Sequence, residues 1–206
     1  MANGYIKLKL EYIFPNAGID RTVVVPKDWS LAFLHEVIQE CFGYLDYHEH
    51  EFIDAKKTHY VREEDPNWDM IPSFSGEVEE QKLDYDFKIS SLLKKKGDTL
   101  DYVYDLGDYN EIKITHLGLV ADLTAADFDS HGPDLIEDSH GPMGGTPGIF
   151  KLLSSKKPTA KYKECVEWLE VAFHKSPAAV LDVPSPDAIY CRVNHLVDLV
   201  NLAKVD

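Results

Sequence analysis

Apolar positions alternate with polar ones from Tyr5 to Phe14, with Ile6, Leu8 and Leu10 set against Lys7 and Lys9. A period of two places one set on each face of a strand. Arg21 to Val25 is a second, β-branched run, and the turn-forming Pro15-Asn16-Ala17-Gly18 between them predicts a hairpin. From Leu31 the spacing changes. Leu31, Leu34, Ile38 and Cys41, with Val37 and Phe42 beside them, line one face of a helix, which Ser30 caps and Gly43 terminates. Short strands are expected over His48 to Asp54 and Thr58 to Arg62, then a long irregular connection through Pro66, Pro72 and Gly76. A short helix over Ile89 to Lys96 follows, its lysines at the end where the helix dipole favours cations, and Gly97 stops it.

A second hairpin is predicted from Thr99 to Asp105 and Glu111 to Leu117, with Leu106-Gly107-Asp108-Tyr109-Asn110 as its turn. Gly107 and Asn110 suit positive φ there, and Gly107 is expected either at positive φ or where a Cβ would be obstructed. Ser130 to Gly148 carries five glycines and three prolines and reads as a loop. Helical spacing returns over Pro158 to Phe173, and again after Ser185-Pro186-Asp187 through Ile189, Val193, Leu196, Val197 and Val200. The implied class is α+β: a mixed sheet built from two hairpins with helices on one face, a β-grasp-like first half, and C-terminal helices. One domain over 1–206 is expected, with a sheet-rich part (1–128), a Gly/Pro-rich loop (129–148) and a helical part (149–206).

Charge narrows the choice of function. The formal net charge is −15; Glu63 to Asp86 holds nine acids against Lys82, and Asp98 to Gly141 holds eleven against Lys113. A phosphate-binding nucleic-acid surface needs the opposite sign, so direct nucleic-acid binding is not expected. The N-terminus has no signal-peptide pattern, no apolar run is long enough to span a membrane, and Cys41, Cys165 and Cys191 show no paired spacing. A reducing cytoplasm is the expected location.

Several segments in order, LAFLHEVIQECFG, HEHEF, YVYDLGD, GGTPGIFKLL and EWL at Trp168, resemble the plasmid pRiA4b ORF-3-like family. The resemblance spans nearly the whole chain. It places family positions at His35, at His48 and His50, at Tyr104, Asp105, Gly107 and Asp108, and at Gly144, Gly145 and Gly148. Asn110 and Ile112 stand where the family usually has Trp and His, and five extra residues separate Glu137-Asp138 from Gly144. The family has no established activity; an association with mobile elements is all that the resemblance implies.

Two arrangements could carry chemistry. His48 and His50, two apart on an expected strand, could share a divalent metal with Asp105 and Asp108, with His116 as a further ligand. The bland alternative is a pair of strand histidines bonded to nearby carboxylates. His35 borders the buried helix face and reads as a satisfied core histidine, and Asp105 and Asp108 read as turn residues. The loop from His131 to Gly148, with Glu137, Asp138 and His140, has enough ligands for a metal and enough glycine for a lid. No phosphate-binding loop or nucleophile elbow occurs. His35, His48, His50, Tyr104, Asp105 and Asp108 are therefore the candidate cleft. A non-catalytic binding or adaptor protein with a protein or small-molecule partner is the leading reading, and a metal-dependent hydrolase the competitor.

Overall fold

The computed structural model describes residues 4–14, 17–63, 80–136, 145–155 and 157–203. The expected connection through Pro66, Pro72 and Gly76, and the candidates Glu137, Asp138, His140 and Gly144, lie outside these residues. Among the described residues a single sheet of eight strands forms: β1 (Tyr5–Tyr12), β2 (Asp20–Pro26), β3 (His50–Ile53), β4 (His59–Val61), β5 (Gln81–Leu83), β6 (Thr99–Tyr104), β7 (Asn110–Val120) and β8 (Asp129–His131). Their spatial order is β5-β4-β3-β6-β7-β1-β2-β8, and only β4 and β5 run parallel. Both expected hairpins, β1–β2 and β6–β7, are present, and they pair with each other through β1 and β7. The β-grasp-like expectation for the first half did not include this interleaving, in which β6 and β7 part β1 from β3.

The period-two pattern decides which side is covered. Ile6, Leu8, Leu10 and Tyr12 are buried while the residues between them are half-buried, and across the register Tyr12 faces Ile112, Ile112 faces Tyr102, and Tyr102 faces Phe52. This row belongs to the main core, onto which the helix α1 (Leu31–Phe42) packs. Ser30 accepts from the Phe33 N–H at its start, and Gly43 ends it at φ 72°, as its sequence implied.

Among the described residues four further helices follow the short α2 (Ile89–Leu92), which is half the expected length: α3 (Gly145–Ser154), α4 (Ala160–Phe173), α5 (Pro177–Val180) and α6 (Pro186–Leu202). α6 returns to the main core through Ile189, Val193 and Val197, whereas α3, α4 and α5 gather a second one around Ile149, Leu153, Cys165, Leu169 and Val180. Phe150 packs against both. The start of α3 falls inside the segment expected to be a loop. Glycine and proline weaken a helix interior but not its first turn, and Ile149 and Leu153 supply the buried stripe that holds it.

Arg21, wholly buried, joins the parts. Its guanidinium donates to the carbonyls of Cys41, Asp20, His131 and Pro133 and to Asp134, and it lies over the Phe42 ring. Asp134 also accepts from Arg192 of α6 at 3.1 Å. One cation thus ties α1, β8 and the segment before α3, while its carboxylate partner reaches α6. No helix among the described residues is long and apolar enough to cross a membrane.

Candidate functional site

The candidate residues meet where the C-terminal end of β6 faces α1. Tyr102 and Tyr104, two apart on β6, both point to the helix side, and Tyr104 stands opposite His50 of β3. His35 of α1 then comes down on His50: the rings stack at 3.7 Å between centroids with 13° between planes. Both histidines are buried.

The partners of His35 favour one tautomer. Gln39 Oε1 accepts the Asp46 N–H at 3.0 Å, so its Nε2 is the end that donates, at 3.0 Å, to the Tyr102 hydroxyl oxygen. The Tyr102 hydroxyl donates to His35 Nδ1 at 2.8 Å, and His35 Nε2–H donates to Asp46 Oδ1 at 2.9 Å. Arg62 closes the system from outside, with Nη2 2.9 and 3.0 Å from the two Asp46 oxygens; its 3.2 Å approach to His35 Nε2 sets two donors side by side on one carboxylate. Burial, and next the nearby His50, lower His35 to about 4. Burial opposes ionisation of Asp46, but the bonds from His35 and Arg62 outweigh it and hold its carboxyl below the ordinary range. Burial lifts the Tyr102 phenol well above its usual value, so it is neither a base nor a nucleophile near neutral pH.

His50 has its own acid. Its Nε2 lies 2.9 Å from Asp84 Oδ2, both side chains being almost fully buried, and its Nδ1 meets no hydrogen-bond partner among the described residues. A third pair, His59 Nδ1 with Glu51 Oε2 at 2.7 Å, is buried on the opposite side of the sheet. Polar side chains this deep persist when hydrogen-bonded to a partner.

His48 and His50 turn to different carboxylates. β3 begins only at His50, and the half-buried His48 turns to Asp105, with Nε2 3.7 Å from Oδ2, and sets its ring edge-on to Tyr104. Asp105 is first a turn residue: at φ 58° its Oδ1 accepts the N–H groups of Gly107 and Asp108, each at 3.1 Å. Positive φ in this turn falls on Asp105 and Tyr109, and not on Gly107 or Asn110 as expected; the Asx-type bonds stabilise Asp105 there. A Cβ on Gly107 would lie 3.3 Å from Asp105 Oδ1, the close contact that was the other expected cause. Tyr104 Oη accepts the N–H groups of Tyr47 at 2.9 Å and His48 at 3.3 Å and so anchors the loop after α1. His116, the further ligand considered, is six residues along β7 from Asn110, roughly 20 Å away at about 3.3 Å per residue. It is buried and neither ring nitrogen meets a hydrogen-bond partner among the described residues.

Among the described residues one group of three ligating side chains falls within 4.8 Å: His35, Glu36 and Asp46. Burial and the nearby Asp46 raise the Glu36 carboxyl. Sequence reasoning did not find Asp46, Arg62, Asp84, Gln39 or Tyr102 as partners. Only Tyr102 carried a signal, the Tyr-x-Tyr spacing that puts it on the face of Tyr104.

No curated protein matches the chain. The crystal structure of a protein of unknown function from Methanosarcina mazei Go1 superposes with a TM-score of 0.61 at 23% identity, over 86% of this chain and 97% of that one, and shows a shared fold. The family described as plasmid pRiA4b ORF-3-like protein matches residues 4–180. The turn with Asp105 and Asp108, and the histidines of α1 and β3, sit within a chain that belongs to the plasmid pRiA4b ORF-3-like family.

Proposed function

We propose that the protein is a non-catalytic binding protein whose partner docks at the sheet end made by the loop after α1 and the β6–β7 turn. The observation that supports this is a set of large apolar side chains left in solvent there: Tyr47 is 71% exposed, Tyr109 56%, Leu106 51% and Ile13 43%. Patches of this kind mark contact sites more often than chance. They are held by short bonds: Tyr47 N–H to Tyr104, Asp105 N–H to the Glu49 carbonyl, and Ile13 N–H to the Glu111 carbonyl at 2.8 Å. The buried relay ending at Asp46 holds the same loop from below. Glu49, Asp108 and Glu111 border the patch, so a partner with basic as well as apolar side chains complements it. The net charge of −15 speaks against nucleic acid as that partner, and the three free cysteines suit a reducing cytoplasm.

The test pairs the wild type with Tyr47→Ser/Tyr109→Ser, both exposed, in cross-linked capture from the native host. A specific partner retrieved by the wild type and lost in the double variant at unchanged melting temperature supports the reading. Equal retrieval by both, or none by either, overturns it.

The competing reading, a metal-dependent hydrolase, is favoured by the proximity of His35, Glu36 and Asp46. A metal on His35 Nε2 would displace the proton to Nδ1 and leave the buried Tyr102 hydroxyl without its acceptor, at about 1–3 kcal/mol. Arg62 also already supplies a cation to Asp46. Less than about 0.1 zinc or manganese per chain after purification without chelator and saturation with each ion would remove this reading.

A further inference from the structure

We infer that the cavity between the β3–β4 turn, the edge strand β5 and the segment from α2 to β6 is a binding site for a phosphorylated small molecule. The cavity, about 590 Å³, lies in the range of sites that take metabolite-sized ligands and far exceeds a free phosphate. It lies on the far side of β3 and β6 from the proposed docking patch: Asp101 faces Ile53 at this end of the β3–β6 pair, while Tyr104 faces His50 at the other.

Three lysines and three acids line it; the acids keep their charge, but their oxygens are taken up by neighbouring donors. Asp54 Oδ1 accepts the N–H groups of Lys56 at 2.8 Å and Thr58 at 3.0 Å, and Oδ2 accepts the Tyr60 hydroxyl at 3.2 Å. Asp98 Oδ2 accepts the N–H groups of Lys94 at 2.9 Å and Lys95 at 3.0 Å. Glu80 pairs with Lys82 at 3.0 Å, and Lys82 lies over the Phe87 ring. Each carboxylate shapes a turn or cancels a neighbour. Lys56 and Lys94, from the two turns so shaped, line the cavity exposed, and no ion pair among the described residues engages either. An ammonium on each of two walls suits a divalent oxyanion. Leu92, Leu100 and Tyr60 give the same cavity an apolar wall. An anionic end with a flat apolar remainder, as in a mononucleotide, matches both parts. The negative charge of the whole chain opposes any diffuse attraction of anions, so the affinity must be local to these lysines.

The experiment titrates the full chain with ADP and with inorganic pyrophosphate at low salt, following amide chemical shifts. Expected are shifts at residues 54–60 and 91–100, tighter binding of ADP than of pyrophosphate, and weakening of at least about tenfold in Lys56→Gln/Lys94→Gln. Lys95→Gln, a neighbour outside the cavity lining, should bind as the wild type does. No saturable shift below about 10 mM for either probe, equal affinity in the double variant, or equal weakening by Lys95→Gln overturns the inference.

Discussion

Acidification is the perturbation that reads the buried relay most directly. His35 in the folded chain is lowered from 6.5 to about 4 by burial, then by the stacked His50, and Asp46 offsets this in part. A histidine with a depressed pKa favours folding in its neutral form. Its contribution is complete above pH 6.5 and is lost as pH falls toward about 4, because there the unfolded chain takes up a proton that the folded chain refuses. A separation of about 2.5 pH units corresponds to about 3 kcal/mol, lost at no more than about 1.4 kcal/mol per pH unit. Two neighbours act in different ways. Asp46, held low, is lost only as pH falls below its ordinary 3.8. The raised Glu36 carboxyl takes up its proton earlier in the folded chain and works against the loss at the acid end of the window. The assay is urea unfolding from pH 7 to 4.5 for the wild type and His35→Gln, with the His35 ring titrated by NMR. The wild type should lose stability relative to the variant as pH falls, and the ring should remain neutral at pH 5.5. A midpoint near 6.5, or a difference between the two proteins that does not change with pH, would refute the account.

Other changes probe the scaffold. Arg21→Met should cost about 3 kcal/mol in urea unfolding, because it strands the carbonyls of Cys41, His131 and Pro133; a loss under about 1 kcal/mol would mean that water replaces the guanidinium. Gly43→Ala should cost at least about 1 kcal/mol, since Gly43 is at φ 72° and a Cβ would come within 2.9 Å of the Asp134 side chain; an unchanged melting temperature would contradict that geometry. Asp105→Ala should destabilise by about 1–2 kcal/mol and Asp105→Asn by much less, as the amide oxygen can still accept the two turn N–H groups; equal losses would instead assign the cost to the His48 contact.

The elements that could be read in advance were those with a local cause. α1 carries its stripe, cap and terminating glycine within fourteen residues, and the hairpins β1–β2 and β6–β7 carry alternation flanking a turn. β5 and β8 are three residues each and owe their state to a neighbour: β5 is recruited in parallel by β4, and β8 by β2. Nothing within Gln81–Leu83 or Asp129–His131 announces a strand, because the hydrogen bonds that make them strands are supplied from outside.

The site divides along the same line. His35, His50, Tyr104 and Asp105 could be named because each lies on a regular element or a turn with its own chemistry, and the structure gathers all four at one end of the sheet. Their partners come from elsewhere: Asp46 from a loop, Arg62 from just beyond β4, and Asp84 from the turn after β5. The strand expected from His48 starts only at His50, so the alternation before β3 does not hold. Pairing of β3 with β6 ends at His50 opposite Tyr104, and beyond it the Tyr104 hydroxyl captures the N–H groups of Tyr47 and His48. That capture turns His48 toward Asp105 and leaves His50 beneath His35. The Tyr-x-Tyr of β6 therefore organises both halves of the site: Tyr102 holds the helix relay and Tyr104 the loop. Tyr104→Phe should consequently loosen the loop while sparing the core, with amide exchange quickened at Tyr47 and His48 and the His35 titration unmoved. A shifted His35 midpoint in that variant would show that the two halves act as one unit.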